Sequence, residues 1–216
     1  MIVGLLCFLE ASKGIRKTCG IMRMLDRLRA PLIMQLKTAI SLPIRYATQI
    51  LISSTLLVVV YTARTFSSRR YTSPILNSYG HPVPMVGGKL QKTGAQYRAK
   101  MLSQDFGKEK CSVSIEIKGA YDIKALKSLV RTFTWERSGA SLTVKDVFEF
   151  TEPTAFEVPY LVYDGIDCSP EISVSPAGHT LKKEKVPNPR APWEPWRVAI
   201  VPAQPVVRAE VSSVFR

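Results

Sequence analysis

A strict alternation of apolar and polar residues in the middle of this chain sets the strongest limit on its fold. In "CSVSIEIKGAY", Val113, Ile115 and Ile117 alternate with polar residues. Because successive side chains of a β-strand point to opposite faces, this pattern is typical of a half-buried strand. "LVRTFTWER" and "SLTVKDVFEF" alternate in the same way, and the "SGA" turn at 138–140 between them predicts a β-hairpin.

Shorter apolar runs follow the hairpin, separated by Pro, Gly and Asp: "AFEVPYLVYDGI", "EISVSP" and "RVAIVP". Several short strands joined by turns predict an all-β fold, an antiparallel β-sandwich. In this part of the chain only "DIKALKSLV" has a moderately helical pattern. We expect one β-sandwich domain over residues 62–216, preceded by a short, partly helical segment, residues 1–61.

Two ionisable residues fall on the inward face of the predicted hairpin. Arg131 has the same parity as Leu129 and Phe133, and Asp146 has the parity of Phe148. A buried carboxylate needs a partner. The pattern therefore predicts a structural pair between Arg131 and Asp146 on adjacent strands.

The positive charge is concentrated at the start of the chain. Residues 1–72 carry a net charge of +9 out of the total of +13. This balance suits an acidic partner such as nucleic acid, anionic lipid or anionic polysaccharide. The rest of the chain has no dense run of Lys and Arg with interleaved aromatic residues, so we expect no nucleic-acid partner.

The most hydrophobic stretch is "QILISSTLLVVVYTA", residues 49–63. Its apolar part runs only from Ile50 to Tyr61, whereas a helix needs about 20 apolar residues to span a bilayer. Its Val- and Ile-rich end favours a buried strand over a signal anchor, and the Arg-rich composition also resembles a mitochondrial presequence. The initial "MIVGLLCFLE" is not a convincing signal peptide, so secretion and membrane association both stay open.

Four motifs then occur in order along residues 62–216. They are "RTFSSRRYTSPILNSYGHPVPMVGGKLQKTGAQYRAK", "GAYDIKALKSLVRTFTWER", "LTVKDVFEF" and "WRVAIVPAQPVVRAE". In this order they resemble the carboxy-terminal β-sandwich of the heparinase II/III-like polysaccharide lyases. The resemblance implies a fold in which this sandwich follows a helical toroid, and an activity that cleaves uronate-containing polysaccharides by β-elimination.

The resemblance also assigns roles in "NSYGHPVP", residues 77–84. It implies that His81 is exposed on the sandwich surface that faces the toroid, as a catalytic residue or as a ligand of a divalent metal. An imidazole suits both roles at neutral pH. Asn77 and Tyr79 would orient the imidazole or contact the sugar. The residues alone favour a turn capped by His81 and a strand start with one buried aromatic ring.

Residues 1–61 depart from the family pattern because they lack the repeated amphipathic helix pairs of a toroid. No histidine precedes His81, and Asp26 is the only aspartate before it. We therefore expect a lyase-related fragment that binds an anionic polysaccharide, is inactive alone and lacks its toroid. The alternative is a non-catalytic carbohydrate-binding or structural β-sandwich module, held at a membrane by its amino terminus.

Overall fold

The computed structural model describes residues 69–162, 164, 169–188 and 194–216. A short helix, α1, and two 3-10 helices accompany ten strands. The helices are α1 (Arg69–Thr72) and the 3-10 helices Ser78–Gly80 and Lys118–Ala120. The strands are β1 (Met85–Val86), β2 (Lys100–Phe106), β3 (Lys110–Glu116), β4 (Leu126–Glu136), β5 (Ser141–Thr154), β6 (Phe156–Val162), β7 (Glu171–Ser175), β8 (His179–Lys185), β9 (Trp196–Pro202) and β10 (Val206–Phe215).

The strands form two antiparallel sheets. The small sheet has the order β1-β6-β9-β8, and the large sheet has the order β2-β3-β4-β5-β10-β7. This confirms the predicted all-β, antiparallel β-sandwich. The boundary at residue 61, the helical content expected before it and the apolar stretch at 49–63 lie outside the described residues. Within the described ranges, no helix is long and apolar enough to cross a membrane.

The predicted hairpin is present as β4 and β5, which pair from Glu136↔Ser141 at the turn to Leu126↔Phe150 at the far end. The helical expectation for "DIKALKSLV" is wrong, because β4 begins at Leu126 within that stretch. Strand β4 hydrogen-bonds β3 on one side and β5 on the other. Two neighbouring strands thus outweigh a modest local helix propensity.

Aromatic contacts join the two sheets across the core. The rings of Phe148 in β5 and Phe156 in β6 stack with their centroids 4.0 Å apart. Tyr160 in β6 meets Phe215 in β10 edge to face at 6.1 Å. Both pairs belong to one buried apolar cluster between the sheets, so the inward faces of the alternating strands form the core as predicted.

A second, smaller apolar cluster lies on the outer face of the small sheet. Leu161 follows Tyr160, whose ring is in the main core, so its side chain points away from that core. Ile75, Leu76 and Val186 pack against it. Residues 75–79 therefore cover part of the outer face of the small sheet as a third layer.

Gly80 allows this outer layer to fold tightly on itself. A Cβ atom at residue 80 would lie 2.6 Å from the Pro74 carbonyl oxygen and 2.7 Å from the Ile75 Cα atom. Both neighbours are backbone atoms, which have little freedom to move away. The glycine that precedes His81 is thus explained by close approach of two chain segments.

We expect Gly80→Ala to lower the free energy of unfolding by about 1–3 kcal/mol, the usual range for overpacking. Gly139→Ala is the matched control, because its new methyl group would meet only the Ser141 side-chain oxygen at 3.8 Å. Urea unfolding of both variants measures the difference. Equal stability of the two variants would contradict the close packing at residue 80.

Candidate functional site

The segment that carries the predicted site residues, residues 77–84, begins with a capped turn. The Asn77 side-chain oxygen accepts a hydrogen bond of 2.9 Å from the backbone N–H of Tyr79. Asn77 is thereby the N-cap of the 3-10 helix Ser78–Gly80. A local bond of this kind is a common role of asparagine in turns. It accounts for Asn77 structurally, and its contact with sugar stays a prediction.

Tyr79 is held on the outer face of the small sheet by charged residues. Its hydroxyl donates to the Glu184 carboxylate in β8, and the guanidinium carbon of Arg197 in β9 lies 4.7 Å from its ring centroid. Partial burial and the bond to Glu184 raise the pKa of Tyr79 to about 12. A tyrosine base must be deprotonated, so this phenol is a poor base near neutral pH.

Arg197 links this tyrosine to a further carboxylate. It is only 1% exposed, and its Nη1 lies 2.7 Å from Glu157 Oε2 and 3.7 Å from Glu184 Oε1. The two acids balance the buried guanidinium and the neighbouring ammonium of Lys182, which lies 3.3 Å from Glu184. The charged side chains on the outer face near Tyr79 therefore form an ionic network with no net charge.

The expectation that His81 is exposed is wrong. The residue is 7% exposed, directly after the 3-10 helix. Burial lowers the pKa of His81 below its usual 6.5, while hydrogen bonding to the Leu76 backbone opposes that shift. The physical reason is the outer layer, which folds residues 73–81 against the small sheet. The catalytic role of His81 stays a prediction.

The predicted divalent metal is not supported by the donors near His81. Among the described residues, no group of three or more His, Cys, Asp or Glu side chains is placed to hold a metal ion. A protein metal site generally needs several such donors converging on one point. The role of His81 as a metal ligand therefore stays a prediction.

The predicted pair of Arg131 and Asp146 is present, and it also holds the site segment. Arg131 donates from Nε and Nη2 to the two carboxylate oxygens of Asp146, at 2.7 Å each. The two residues are 4% and 1% exposed. Arg131 Nη1 donates to the carbonyl oxygen of Pro82, so the residue after His81 is attached to the large sheet.

Tyr121 provides a second attachment for the segment. Its hydroxyl donates to the Pro84 carbonyl oxygen at 2.6 Å, and Gln91 Nε2 donates to that hydroxyl at 3.4 Å. Burial raises the pKa of Tyr121 to about 12, which keeps its hydroxyl protonated as a donor. The sequence reasoning missed Tyr121, Glu184 and Arg197, because their partners are distant along the chain and no spacing rule connects them.

Known proteins resemble this chain in structure and not in sequence. No protein-family model and no curated protein matches the sequence. A solved structure of heparinase III matches with a TM-score of 0.52 at 10% identity, covering 70% of this chain and 26% of that chain. The chain shares the fold of part of heparinase III. Heparan sulfate lyase HepC from Pedobacter heparinus matches with a TM-score of 0.45 at 12% identity, covering 62% of this chain and 24% of its own.

The likeness to heparinase III agrees with the family resemblance of the four motifs. It extends over about a quarter of the heparinase III chain, and at this identity it concerns the fold. The β-sandwich of heparinase III is thus a scaffold that this chain also adopts. The roles of the residues on this scaffold depend on the contacts that they make in this chain.

We expect Arg131→Met to lower the free energy of unfolding by about 3–5 kcal/mol, because it leaves a buried, unpaired Asp146 carboxylate. The double variant Arg131→Met, Asp146→Leu should recover part of this loss, since no charge then remains buried. It should stay below the wild type because the Pro82 carbonyl loses its donor. Urea unfolding measures all three proteins.

Lys145→Met is the matched control for that experiment. Lys145 and Glu210 form an ion pair of 2.6 Å, but their side chains are 42% and 45% exposed. Exposed pairs contribute about 1 kcal/mol or less. A loss in Arg131→Met no larger than in this control would show that the buried pair does not support the segment.

The lowered pKa of His81 predicts a pH dependence of stability. Below about pH 6.5 the unfolded state binds the proton more readily than the folded state, so stability falls as pH decreases. Urea unfolding between about pH 7.5 and pH 5.5 should show this fall in the wild type and a smaller fall in His81→Gln. Glu116 and Glu184 have lowered pKa values, so their protonation changes stability only at lower pH, below the ordinary carboxyl value of 4.5.

At the upper pH the same substitution, His81→Gln, should lower stability by about 1–3 kcal/mol, as loss of a buried polar contact does. His179→Gln is the control, because it removes an exposed imidazole from β8. Wild-type pH dependence in His81→Gln would refute the burial argument.

Proposed function

We propose that this chain is a relative of the heparinase II/III-like lyases that binds an anionic, uronate-containing polysaccharide and does not catalyse elimination by itself. The observation that carries the proposal is the fold shared with heparinase III, together with the ordered motifs along residues 62–216. The name of that relative points to a heparin-type polysaccharide as the class of ligand.

The chemistry of β-elimination explains why we separate binding from turnover. The reaction removes a weakly acidic, carbon-bound proton beside the uronate carboxylate. It therefore needs an accessible base and a positively charged or hydrogen-bonding group that stabilises the developing carbanion. The base and these groups must be held together around the sugar.

The two candidate bases in residues 77–84 are engaged in the fold. The Tyr79 hydroxyl donates a hydrogen bond to Glu184, and its pKa is raised to about 12. His81 is buried, and its imidazole would have to become accessible before it reached a sugar. We infer that turnover requires residues from a further domain, such as the toroid of the family, which would be a partner of this sandwich.

The alternative function, a non-catalytic carbohydrate-binding module, is favoured by the same engagement of Tyr79 and His81. Both of these proposals include polysaccharide binding, whereas a purely structural module would bind no polysaccharide. They differ in whether a second domain restores elimination, so the two are separated by adding a toroid domain from a related lyase to the assay.

We expect the full chain to bind heparan sulfate or alginate oligosaccharides and to release no unsaturated product from them. Ultraviolet absorbance of the unsaturated uronate measures turnover, and isothermal titration calorimetry measures binding. An active lyase serves as the positive control. Robust turnover by the purified chain would overturn the proposed inactivity. Abolition of that turnover in Tyr79→Phe would identify Tyr79 as the base.

A further inference from the structure

We propose that Arg98, Lys100 and Lys118, here called the basic patch, form the surface that binds the anionic polysaccharide. This inference rests on the proposed function and gives it a location. All three side chains are exposed. They come from the loop before β2, the first residue of β2 and the 3-10 helix Lys118–Ala120.

Close backbone packing brings these separate segments together. A Cβ atom at Gly119 would lie 2.3 Å from the Arg98 carbonyl oxygen, so the 3-10 helix lies directly against the loop before β2. Lys100 is the register partner of Glu116 at the end of β3. The patch is therefore a fixed feature of the fold, although its members are up to 20 residues apart.

Hydrogen bonds fix the Arg98 side chain and the backbone at Lys118. The Arg98 guanidinium donates from Nε to the Ala95 carbonyl oxygen at 2.6 Å, which fixes its direction without neutralising its charge. The backbone N–H of Lys118 donates to Glu116 Oε1 at 3.0 Å. The Arg98 side chain is thus held by a backbone carbonyl, and the backbone position of Lys118 is fixed by its bond to Glu116.

Glu116, the register partner of Lys100, is held by hydrogen bonds within the fold. Its Oε1 also accepts from the backbone N–H of Leu129 at 2.9 Å, and its Oε2 accepts from the Ser128 hydroxyl at 2.8 Å. Although partial burial opposes the shift, these bonds and the Lys118 charge lower the pKa of Glu116. The carboxylate is directed at backbone groups and leaves the cationic side chains available.

The basic patch differs from a second basic surface, on β8. Among the described residues, Arg98, Lys100 and Lys118 form no ion pair with a carboxylate. On β8, by contrast, Lys182 lies 3.3 Å from Glu184 and Lys185 lies 3.6 Å from Asp164. An incoming polyanion therefore meets two cations on β8, Lys182 and Lys185, that are already paired with carboxylates, whereas the cations of the basic patch have no such pair among the described residues.

The basic patch is connected to the segment that carries His81. The backbone N–H of Gln91 donates to the Ser78 hydroxyl at 3.0 Å, and the next residue, Lys92, donates from its N–H to the Ala120 carbonyl oxygen at 2.9 Å. One short stretch of chain thus contacts both regions. A polysaccharide bound at the patch would extend beside residues 77–84.

The chemistry of the patch favours a polysaccharide over single-stranded nucleic acid. Proteins that bind single strands combine cations with aromatic rings on which the bases stack. Residues 98–100 and 116–120 contain no aromatic residue, and of the flanking tyrosines Tyr121 is buried and Tyr97 is half-buried. Three exposed cations with one half-buried ring beside them suit a ligand whose charges are carboxylates or sulfates on sugar rings.

The test is the triple variant Arg98→Gln, Lys100→Gln, Lys118→Gln in the full chain. We expect its affinity for a heparin oligosaccharide to fall about tenfold, because three exposed charge contacts are lost. Isothermal titration calorimetry measures the affinity. Thermal unfolding should show an unchanged Tm, since the substituted side chains are exposed.

The charge-matched control is Lys182→Gln, Lys183→Gln, Lys185→Gln on β8, which removes the same net charge from exposed side chains. The basic residues 1–68 are present in every variant, so their contribution is constant. We expect the control to retain most of the affinity. Equal losses in the two triple variants, or no loss in the patch variant, would overturn the assignment while the proposed binding function stands.

Two further outcomes concern the partner itself. If the wild-type chain binds neither heparin nor alginate oligosaccharides, the proposed function fails and the patch assignment fails with it. If the wild type prefers single-stranded DNA to heparin at equal ionic strength, and the patch variant loses that binding, the polysaccharide assignment is overturned in favour of nucleic acid.

Discussion

The buried ion pair between Arg131 and Asp146 is the contact on which the arrangement of this sandwich around residues 77–84 depends. Two charges removed from water are tolerated only when their hydrogen bonds are satisfied. Asp146 receives two donors from Arg131, and the remaining Nη1 of the guanidinium donates to the Pro82 carbonyl. The pair thus links adjacent strands of the large sheet and fastens the chain that leads into the small sheet.

The polar side chains of residues 77–84 that could take part in catalysis are instead used to hold the fold together. Asn77 caps a turn, Tyr79 donates to Glu184, and His81 lies under the outer layer. Each contact lowers the availability of a side chain for substrate. A sandwich built in this way can present a binding surface while elimination depends on groups supplied from elsewhere, which is the division of labour that we propose.

The distribution of charge agrees with that division. On the outer face of the small sheet, Arg197 and Lys182 are balanced by Glu157 and Glu184. At the start of the large sheet, hydrogen bonds from backbone groups and Ser128 occupy Glu116, and within the described part of the chain the cations of the basic patch form no ion pair. The difference lies in how the carboxylates are used, and net charge alone would not reveal it.

The sequence by itself determined the strands and their faces. A two-residue period is a local property, so the inward positions of Arg131 and Asp146, the turn at 138–140 and the resulting ion pair followed from the pattern. The tertiary structure alone decided that His81 is buried and that Tyr79 is bonded to Glu184. It also overrode the helical pattern of "DIKALKSLV". These features depend on contacts between distant segments, such as Tyr79 with Glu184, 105 residues apart. No short-range period encodes such contacts, because they exist only once the outer layer and the two sheets have packed together.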